Sequence, residues 1–333
     1  MHQEDKLTEE KVAKALGISK TTVSRALSGK GRVSHQTRDK ILEYINAQGG
    51  RELLRSLRAH EKRTYNLAIV IPAHFVQLDL PFLRKCMGAV CQVADQRGYD
   101  VLLCYADTVR ATQLERQLAD GKVDGVILSR TVEHDPCIRL LEKYQIPYVA
   151  IGRVDDPNVL QVDNDQVAAA EEMTKLLHQL NLKRIAYLGG SLDYTVNADR
   201  LEGYRRAMRS AGVKMDERMI ISNVETEAQK IDALERLINL SPQCVLCCDD
   251  EMAHYVVRAL RRRGVAVPEQ IKVASLYDSE VLENMKPAVT AVKFDGAALS
   301  AAACRMLLDH LEGKGVTRRV RQGHQLVLRE STK

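Results

Sequence analysis

The feature that most constrains the fold is a regular alternation of apolar strand patterns with amphipathic helix patterns, which begins at Tyr65. Predicted strands cover residues 67–71, 101–104, 125–128, 148–151, 185–188, 244–247, 272–276 and 324–328. Predicted helices cover residues 82–96, 112–120, 138–144, 166–180, 200–211, 227–240 and 251–263. Strands that are apolar on both faces and joined by helical crossovers form parallel, doubly wound sheets. Because these units are too many for one compact sheet, we predict an α/β body of two lobes.

Polar and charged residues follow several of the predicted strands. Ligands bind such sheets beyond the carboxyl ends of the strands, here in a cleft between the lobes. Carboxylates and guanidinium groups suit a hydroxylated solute, because each makes two directed hydrogen bonds. For Asp163 and Asp250 the role of a helix N-cap is an open alternative. The residues concerned are Gly152, Arg153, Asp163, Asn164, Asp249, Asp250 and Asp278, with Arg200 predicted to open the helix after strand 185–188.

Residues 8–27 predict two short helices that meet at a glycine. Thr8 is the predicted N-cap of the first helix, and Gly17 supplies the left-handed conformation that ends it. Ser19 is the next predicted N-cap, and apolar residues then repeat at i, i+3 and i+4 from Val23.

The outer face of the second helix has an unusual composition. Lys20, Thr21, Thr22, Ser24 and Arg25 are short polar or basic residues, with no carboxylate among them. Such groups bond phosphates and base edges, whereas a solvated helix face mixes charges of both signs. This arrangement is typical of a helix-turn-helix, whose second helix enters the major groove of DNA. The spacing alone also fits an ordinary helical hairpin.

A third helix and a charged segment complete the N-terminal region. Residues 34–48 predict a helix that Ser34 caps and that Gly49 and Gly50 end. Residues 51–64 hold six basic residues, counting a histidine, and two acidic ones. This segment is either a charged interdomain linker or a segment that becomes helical only on DNA.

The positive charge of the chain is concentrated in the N-terminal region. Residues 1–63 carry 14 of the 49 Lys and Arg residues and 8 of the 44 Asp and Glu residues, which gives +6 there and −1 elsewhere. This distribution fits a small polyanion-binding head on a neutral body. The sequence shows neither a secretory signal nor an apolar run long enough to cross a membrane, so we expect a cytoplasmic protein.

The eight cysteines lie in apolar segments, as buried free thiols do. Cys244 and Cys247 have the spacing of a metal or redox pair, but no second ligand pair accompanies them. We interpret them as part of a buried strand and expect no metal and no cofactor.

Taken in order, these segments closely resemble the LacI/GalR family of bacterial transcription regulators. The stretch KVAKALGISKTTVSRALSGKGRVSHQTRDKIL resembles the DNA-binding head of that family. The body resembles it at PFLRKCMGAVCQVADQRGY, KVDGVIL, IPYVAIGR, VLQVDND, LKRIAYLGG, DRLEGYRRAM and KPAVTAV. Each segment is weak alone, but their order and spacing together are highly specific.

The resemblance implies roles for individual residues. Lys20, Thr21 and Arg25 match base-reading positions, and Thr22, Ser24, Ser34 and Thr37 match positions that hold phosphates. Leu57 matches the hinge leucine that enters the minor groove and kinks the duplex. Arg200, Asp249, Asp278, Arg153 and Phe75 match positions that contact the effector.

The resemblance also implies a domain organisation. It places a helix-turn-helix domain at residues 1–50, a hinge at 51–64 and a periplasmic-binding-protein-like body at 65–333. Lobe 1 would comprise about residues 65–162 and 292–321, and lobe 2 about residues 163–291 and 322–333. Three crossovers would join the lobes, near residues 161–163, 291–294 and 321–323. No heptad tail follows the last predicted strand, so we expect a dimer, with the 82–96 helix as a candidate interface.

The chain departs from the family pattern at three places. The hinge lacks the usual proline and is about two residues short, so its insertion at Leu57 is an open question. Asp249 stands where the family more often has Asn, which adds a carboxylate to the cleft. Val224 stands where purine-sensing members carry an aromatic residue, and aromatic residues make up only 4% of the chain, which disfavours a nucleobase effector.

We therefore predict a DNA-binding transcription regulator, a repressor that binds a pseudo-palindromic operator as a dimer and responds to a sugar or sugar derivative. A solute-binding protein or a sugar-modifying enzyme is the alternative from another class. The sequence has no export signal and no GxxxxGK, GxSxG or HExxH motif to support it. A regulator that answers to a protein corepressor is a further alternative.

Overall fold

A computed structural model describes residues 7–28, 33–48, 63–73, 81–106, 109–213 and 215–333. The chain divides into two compact units, Met1–Thr64 and Tyr65–Lys333, which we call the head and the body. Leu57, Phe75 and most of the 51–64 segment lie outside the described residues.

The described residues of the head form three helices, α1 (Glu9–Leu16), α2 (Lys20–Ser28) and α3 (His35–Ala47). The Thr8 side chain accepts a hydrogen bond from Lys11 N at 3.4 Å, and Gly17 ends α1 at φ 65°. Ser19 caps α2, because Thr22 N donates to Ser19 Oγ at 3.0 Å. The cap of α3 is formed in the same way, with Thr37 N donating to Ser34 Oγ at 3.2 Å. The roles predicted for Thr8, Gly17, Ser19 and Ser34 are confirmed, whereas Gly49 and Gly50 lie outside the described residues.

A small apolar cluster holds these helices together. Its most deeply buried members are Val12 of α1, Val23 of α2, and Ile41 and Ile45 of α3, each with 0% exposure. Each helix therefore contributes one apolar stripe to a shared core, which leaves the opposite face of α2 in solvent.

The described part of the body forms two six-stranded sheets. The strands are β1 (Asn66–Pro72), β2 (Asp100–Ala106), β3 (Gly125–Leu128), β4 (Tyr148–Ile151), β5 (Leu160–Asp163), β6 (Ile185–Leu188), β7 (Ile220–Ile221), β8 (Cys244–Cys247), β9 (Lys272–Ser275), β10 (Thr290–Lys293), β11 (Arg319–Arg321) and β12 (Gln325–Val327). The helices are α4 (Pro81–Gln96), α5 (Thr112–Ala119), α6 (Pro136–Tyr144), α7 (Gln166–Gln179), α8 (Thr195–Ser210), α9 (Glu227–Asn239), α10 (Asp250–Arg262), α11 (Glu280–Glu283) and α12 (Gly296–Leu311).

Each sheet is the centre of one lobe. The first lobe has the strand order β11-β5-β4-β3-β1-β2, with every pairing parallel. The second lobe has the order β12-β10-β9-β8-β6-β7, and only its edge strand β12 is antiparallel. The predicted class of two doubly wound lobes is confirmed, with this one antiparallel strand as an addition.

The chain passes between the lobes three times. It crosses after β5, where α7 begins in the second lobe, and after β10, where α12 begins in the first lobe. It crosses again between β11 and β12. Helix α12 packs on α4 and on β3, β4 and β5, so a segment late in the sequence forms part of the first core.

Helix α8 begins earlier than the sequence predicts. It starts at Thr195, so Arg200 lies inside the helix instead of opening it. Tyr194 is the N-cap residue and makes no side-chain capping bond, which explains why the start carries no cap signal.

Candidate functional site

The exposed face of α2 carries the residues that the sequence singled out. Lys20, Thr21 and Arg25 are exposed, and Thr22 and Ser24 are half-buried. Val23, Ala26 and Leu27 on the opposite face are buried, which fixes the direction in which the polar face points. A rigid helix with one polar, accessible face can be presented to another molecule without rearrangement of the head.

The polar face of α2 is not free of carboxylates in three dimensions. Lys20 Nζ lies 2.6 Å from Glu10 Oε1 of α1, and both side chains are exposed. This hydrogen bond and the attraction between the charges lower the pKa of Glu10 and raise the pKa of Lys20. Glu10 therefore competes with any outside anion for Lys20, which the sequence of α2 alone does not indicate.

Three of the four hydroxyls predicted to bind phosphate, those of Thr22, Ser34 and Thr37, lie in hydroxyl pairs at helix starts. Thr22 Oγ1 lies 2.8 Å from Ser19 Oγ, and Thr37 Oγ1 lies 2.7 Å from Ser34 Oγ. Each pair sits beside the first-turn amides of its helix, where the helix dipole favours an anion.

A cavity lies between the two lobes of the body, beyond the carboxyl ends of several strands. We call it the cleft cavity, and its volume is about 110 Å³, enough for several water molecules or a small polar solute. From the first lobe it is lined by Ser129, Arg130, Thr131, Ile151, Gly152, Asp163, Asn164 and Leu299. From the second lobe it is lined by Gln166, Thr195, Val196, Arg200, Asp249, Asp250, Glu251 and Tyr277.

Arg200 is the most deeply buried charged residue of this lining, with 4% exposure. Its Nη1 donates to Cys248 O at 2.7 Å and its Nε donates to Gln166 Oε1 at 2.9 Å. These two bonds hold the guanidinium group in one orientation at the cavity wall. Arg200 therefore lines the cleft, as the sequence analysis expected, although it lies inside its helix and not at the helix start.

Two neighbouring carboxylates enter the cavity at the start of α10. Asp249 caps this helix, because Met252 N donates to its Oδ1 at 2.9 Å. Burial, together with the charge of Asp249, raises the pKa of Asp250. The N-cap alternative for Asp163 and Asp250 is wrong, because the caps are their neighbours Asp165 and Asp249.

Two residues that were expected to contact the effector, Asp278 and Arg153, bind other side chains of the body in this structure. Asp278 accepts two hydrogen bonds from Arg329, at 2.7 and 2.8 Å, and its side chain has 6% exposure. Arg153 directs Nε to both carboxylate oxygens of Asp199 at 3.1 Å. Within the described chain, neither residue belongs to the cavity lining. Each side chain forms an ion pair in this structure, and its contact with an effector stays a prediction.

Several lining residues were not singled out by the sequence analysis. Arg130 follows β3, and its guanidinium carbon lies 5.5 Å from the centre of the Tyr194 ring. Tyr277 follows β9, and its ring stacks on Phe294 with the centroids 6.1 Å apart. Both follow predicted strand ends, so the rule that located Asp163 and Asp249 could have found them.

The cavity wall contains buried polar atoms that make no hydrogen bond within the described chain. These are Ser129 Oγ and Asn164 Oδ1. Since an unsatisfied buried polar atom is costly, both atoms favour a ligand or water in the cavity.

Beside the cavity the two lobes contact each other directly. Val132 and Tyr194 form an isolated antiparallel bridge, and Thr131 Oγ1 lies 2.7 Å from Thr195 Oγ1. Gly152 permits the close approach of β4 to this contact, since a Cβ there would lie 2.9 Å from Thr131 Oγ1. Because the lobes touch here, polar side chains that follow strands of both sheets line the same cavity.

The cysteine pair belongs to the core of the second lobe. Cys244 and Cys247 are the ends of β8 and are fully buried, as predicted. Burial raises the pKa of Cys244 to about 12, which keeps the thiol protonated. In the described ranges no group of three or more His, Cys, Asp or Glu residues is placed to hold a metal ion. No described helix is both long and apolar enough to cross a membrane.

Comparisons with known proteins agree with this geometry. Residues 10–49 match the family model "Bacterial regulatory proteins, lacI family", and residues 174–332 match "Periplasmic binding protein-like domain". The transcriptional regulator DegA of Bacillus subtilis is 30% identical, with 84% of each chain covered. This chain belongs to the LacI family. It is a DNA-binding transcription regulator with a helix-turn-helix head and a periplasmic-binding-protein-like body.

Two further comparisons cover almost the whole length of this LacI-family regulator. The transcriptional regulator CelR of Thermobifida fusca is 29% identical over 99% of this chain and 100% of its own. A solved structure of a CelR–cellobiose complex superposes with a TM-score of 0.74 at 28% identity, covering 98% of this chain and 100% of that one.

Proposed function

We propose that this regulator is a cytoplasmic repressor whose affinity for a pseudo-palindromic operator is controlled by a sugar or sugar derivative in the cleft cavity. The observation that carries the proposal is the convergence of Arg200, Asp249 and Asp250 with polar groups of the first lobe on one cavity. Carboxylates accept and guanidinium groups donate paired hydrogen bonds, as adjacent sugar hydroxyls require. The cellobiose bound by the relative CelR supports a sugar as the effector class.

The DNA contacts follow from the polar face of α2. We assign base reading to Lys20, Thr21 and Arg25, because their side chains are exposed on one helix face. Thr22, Ser24, Ser34 and Thr37 would bond phosphates near helix starts. Leu57 of the hinge would enter the minor groove.

A homodimer would raise the affinity of the heads for the operator. One small head binds weakly, whereas two tethered heads on adjacent major grooves gain through effective concentration. We assign the dimer contact to the region of α4. Sugar binding would change how the lobes close, and a coupling of about 1–3 kcal/mol, or roughly 5–150-fold in operator affinity, is typical of such systems. The sugar would be released unchanged, since its role is regulatory.

The test uses the full-length protein. Binding-site selection from random duplexes should enrich an inverted repeat, and sedimentation should give a dimer on that DNA. Fluorescence anisotropy on the selected site, with and without a panel of sugars, should then reveal one that changes the affinity. Enrichment of no sequence, or a selected site bound identically with every sugar, would refute the corresponding part of the proposal.

A further inference from the structure

The cleft cavity contains more negative than positive groups. Asp163, Asp249 and Asp250 face it with three carboxylates, and Arg130 and Arg200 face it with two guanidinium groups. Glu251 also lines the cavity, but its carboxylate is paired with Lys230 Nζ at 2.6 Å. The remaining groups carry a formal charge of −1, before any ligand enters.

The carboxylates of this cavity are incompletely neutralised. Burial and the charge of Asp249 raise the pKa of Asp250, and burial and the charges of Asp199 and Asp165 raise that of Asp163. Hydroxyl donors would stabilise these oxygens, whereas an added negative charge would increase the repulsion.

Arg200 is poorly disposed to offset that repulsion. A carboxylate or phosphate binds a guanidinium group best through two parallel hydrogen bonds along one edge. Arg200 already donates Nε to Gln166 and Nη1 to Cys248, so each of its edges has one donor atom engaged. Single hydrogen bonds to a hydroxyl remain compatible with this geometry.

The remaining wall combines uncharged polar residues with an apolar part. Ile151, Val196 and Leu299 line the cavity together with the ring of Tyr277. A sugar ring has hydroxyl groups at its rim and C–H groups on its faces, so it can meet the carboxylates and this wall at the same time. A phosphate or a carboxylate would lose its hydration against the apolar part of this wall.

We propose that the cleft cavity binds an uncharged sugar ring and rejects the same sugar when it carries a phosphate or a carboxylate. This inference rests on the proposed function, because it requires the cleft cavity to be the effector site. It adds that the carboxylates of Asp163, Asp249 and Asp250 discriminate between neutral and anionic sugars.

The experiment measures binding of matched sugars to the full-length protein by calorimetry. The probes are glucose, glucose 6-phosphate and glucuronate, followed by other neutral mono- and disaccharides with their phosphorylated or acidic counterparts. We expect at least one neutral sugar to bind and its anionic counterparts to bind at least about tenfold more weakly. Asp250→Asn should reduce this ratio at least about threefold, because it removes one repelling charge. Asp232→Asn makes an equal charge change at a side chain with 71% exposure. This control should leave the ratio of neutral to anionic sugar affinity unchanged.

Three outcomes would contradict the inference, and they are distinguishable. An anionic sugar that binds more tightly than its neutral counterpart, and loses affinity in Arg200→Lys, would overturn the charge rule while the cleft cavity remained the effector site. A ratio that is the same in Asp250→Asn as in the unmodified protein would exclude the carboxylates as its cause. Binding of no sugar by a protein that still binds its operator would refute the sugar effector itself.

Discussion

The head and the cleft cavity place their functional groups in opposite environments. On α2 Lys20, Thr21 and Arg25 are exposed, and the described core beneath them is a small apolar cluster. In the cavity Arg200 is buried and hydrogen-bonded to fixed partners from other elements. The base-reading face of α2 therefore acts through solvent-exposed side chains, whereas the cavity acts through groups positioned before a ligand arrives. Substitutions should therefore be graded on α2 and close to all-or-none in the cavity.

The largest effect is expected at Arg200. Arg200→Ala should abolish the response to the effector, because loss of this buried, hydrogen-bonded guanidinium leaves its partners unsatisfied and should weaken effector binding about 100-fold or more. Operator binding should persist, since the head is unchanged. Anisotropy titrations with and without the effector measure both properties.

Arg206→Ala is the matched control for Arg200. Arg206 lies on the same helix, is exposed and pairs with Glu202 four residues away. Its loss should leave the response intact. If the effector still changes the operator affinity of Arg200→Ala as it does that of the unmodified protein, the cleft cavity is not the effector site.

A smaller but still large effect is expected in the core of the head. Ile45→Ala removes a fully buried side chain and should cost about 2–5 kcal/mol. The head has few other buried residues to compensate, so it should unfold while the body stays folded. Calorimetry should show loss of a low-temperature transition, and Leu246→Ala in the core of the second lobe should instead affect the main transition. A single transition in every variant would mean that the two units do not unfold separately.

Base reading by Arg25 should be measurable as a loss of specificity. If Arg25 contacts a guanine, Arg25→Ala should lose about 1–3 kcal/mol of discrimination at one base pair. Lys14→Ala removes the same charge from an exposed position of α1 and should weaken all duplexes alike. Selection experiments with both variants test this, and an unchanged sequence preference in Arg25→Ala would remove Arg25 from the reading face.

Asp250 should destabilise the folded body in a pH-dependent way. Its pKa is raised above the ordinary 3.8, so between 3.8 and the raised value the folded chain binds more protons than the unfolded one. Stability therefore falls as pH rises through this window. Asp250→Asn should raise the Tm by roughly 2 °C at pH 7, and the gain should vanish below about pH 4. A gain that persists in acid, or one that exposed Asp232→Asn reproduces, would argue against burial as the cause.

The smallest effect concerns the ion pair on the head. Glu10→Gln should remove the charge attraction that holds Lys20 and increase operator affinity by about two- to fivefold at low salt, with the gain falling as salt rises. Glu9→Gln makes the same charge change one residue away, without loss of the Lys20 hydrogen bond. Equal gains from both variants would mean that only the overall charge of the head matters.

The same contrast explains what the sequence could predict. The helices of the head depend on capping and on apolar spacing within a few residues, and Thr8, Gly17 and Ser19 all act as predicted. Most body strands were found because each is apolar on both faces. Helix α12 was missed because buried residues surround much of its circumference and blur the helical periodicity. Strands β5, β7, β10 and β11 were also missed, because each is only two to four residues long. In addition, β11 pairs with β5, which lies far earlier in the chain.

The cavity was harder to predict because its geometry is set by long-range pairing. The strand-end rule located Asp249 and Asp250, but the same rule also selected Asp278. That carboxylate is bound by Arg329, which is 51 residues away in sequence. Lys20 shows the same limit on the head, since its partner Glu10 belongs to the preceding helix.

The late position of α12 has a consequence for synthesis on the ribosome. Most of the first lobe emerges early, yet Leu299, Cys304 and Leu307 of α12 fill its core, and β11 extends its sheet. The second lobe is translated in between. The lobe made first is therefore completed nearly last, and a nascent chain that stops before residue 296 exposes an unfinished apolar surface to chaperones and to other nascent chains.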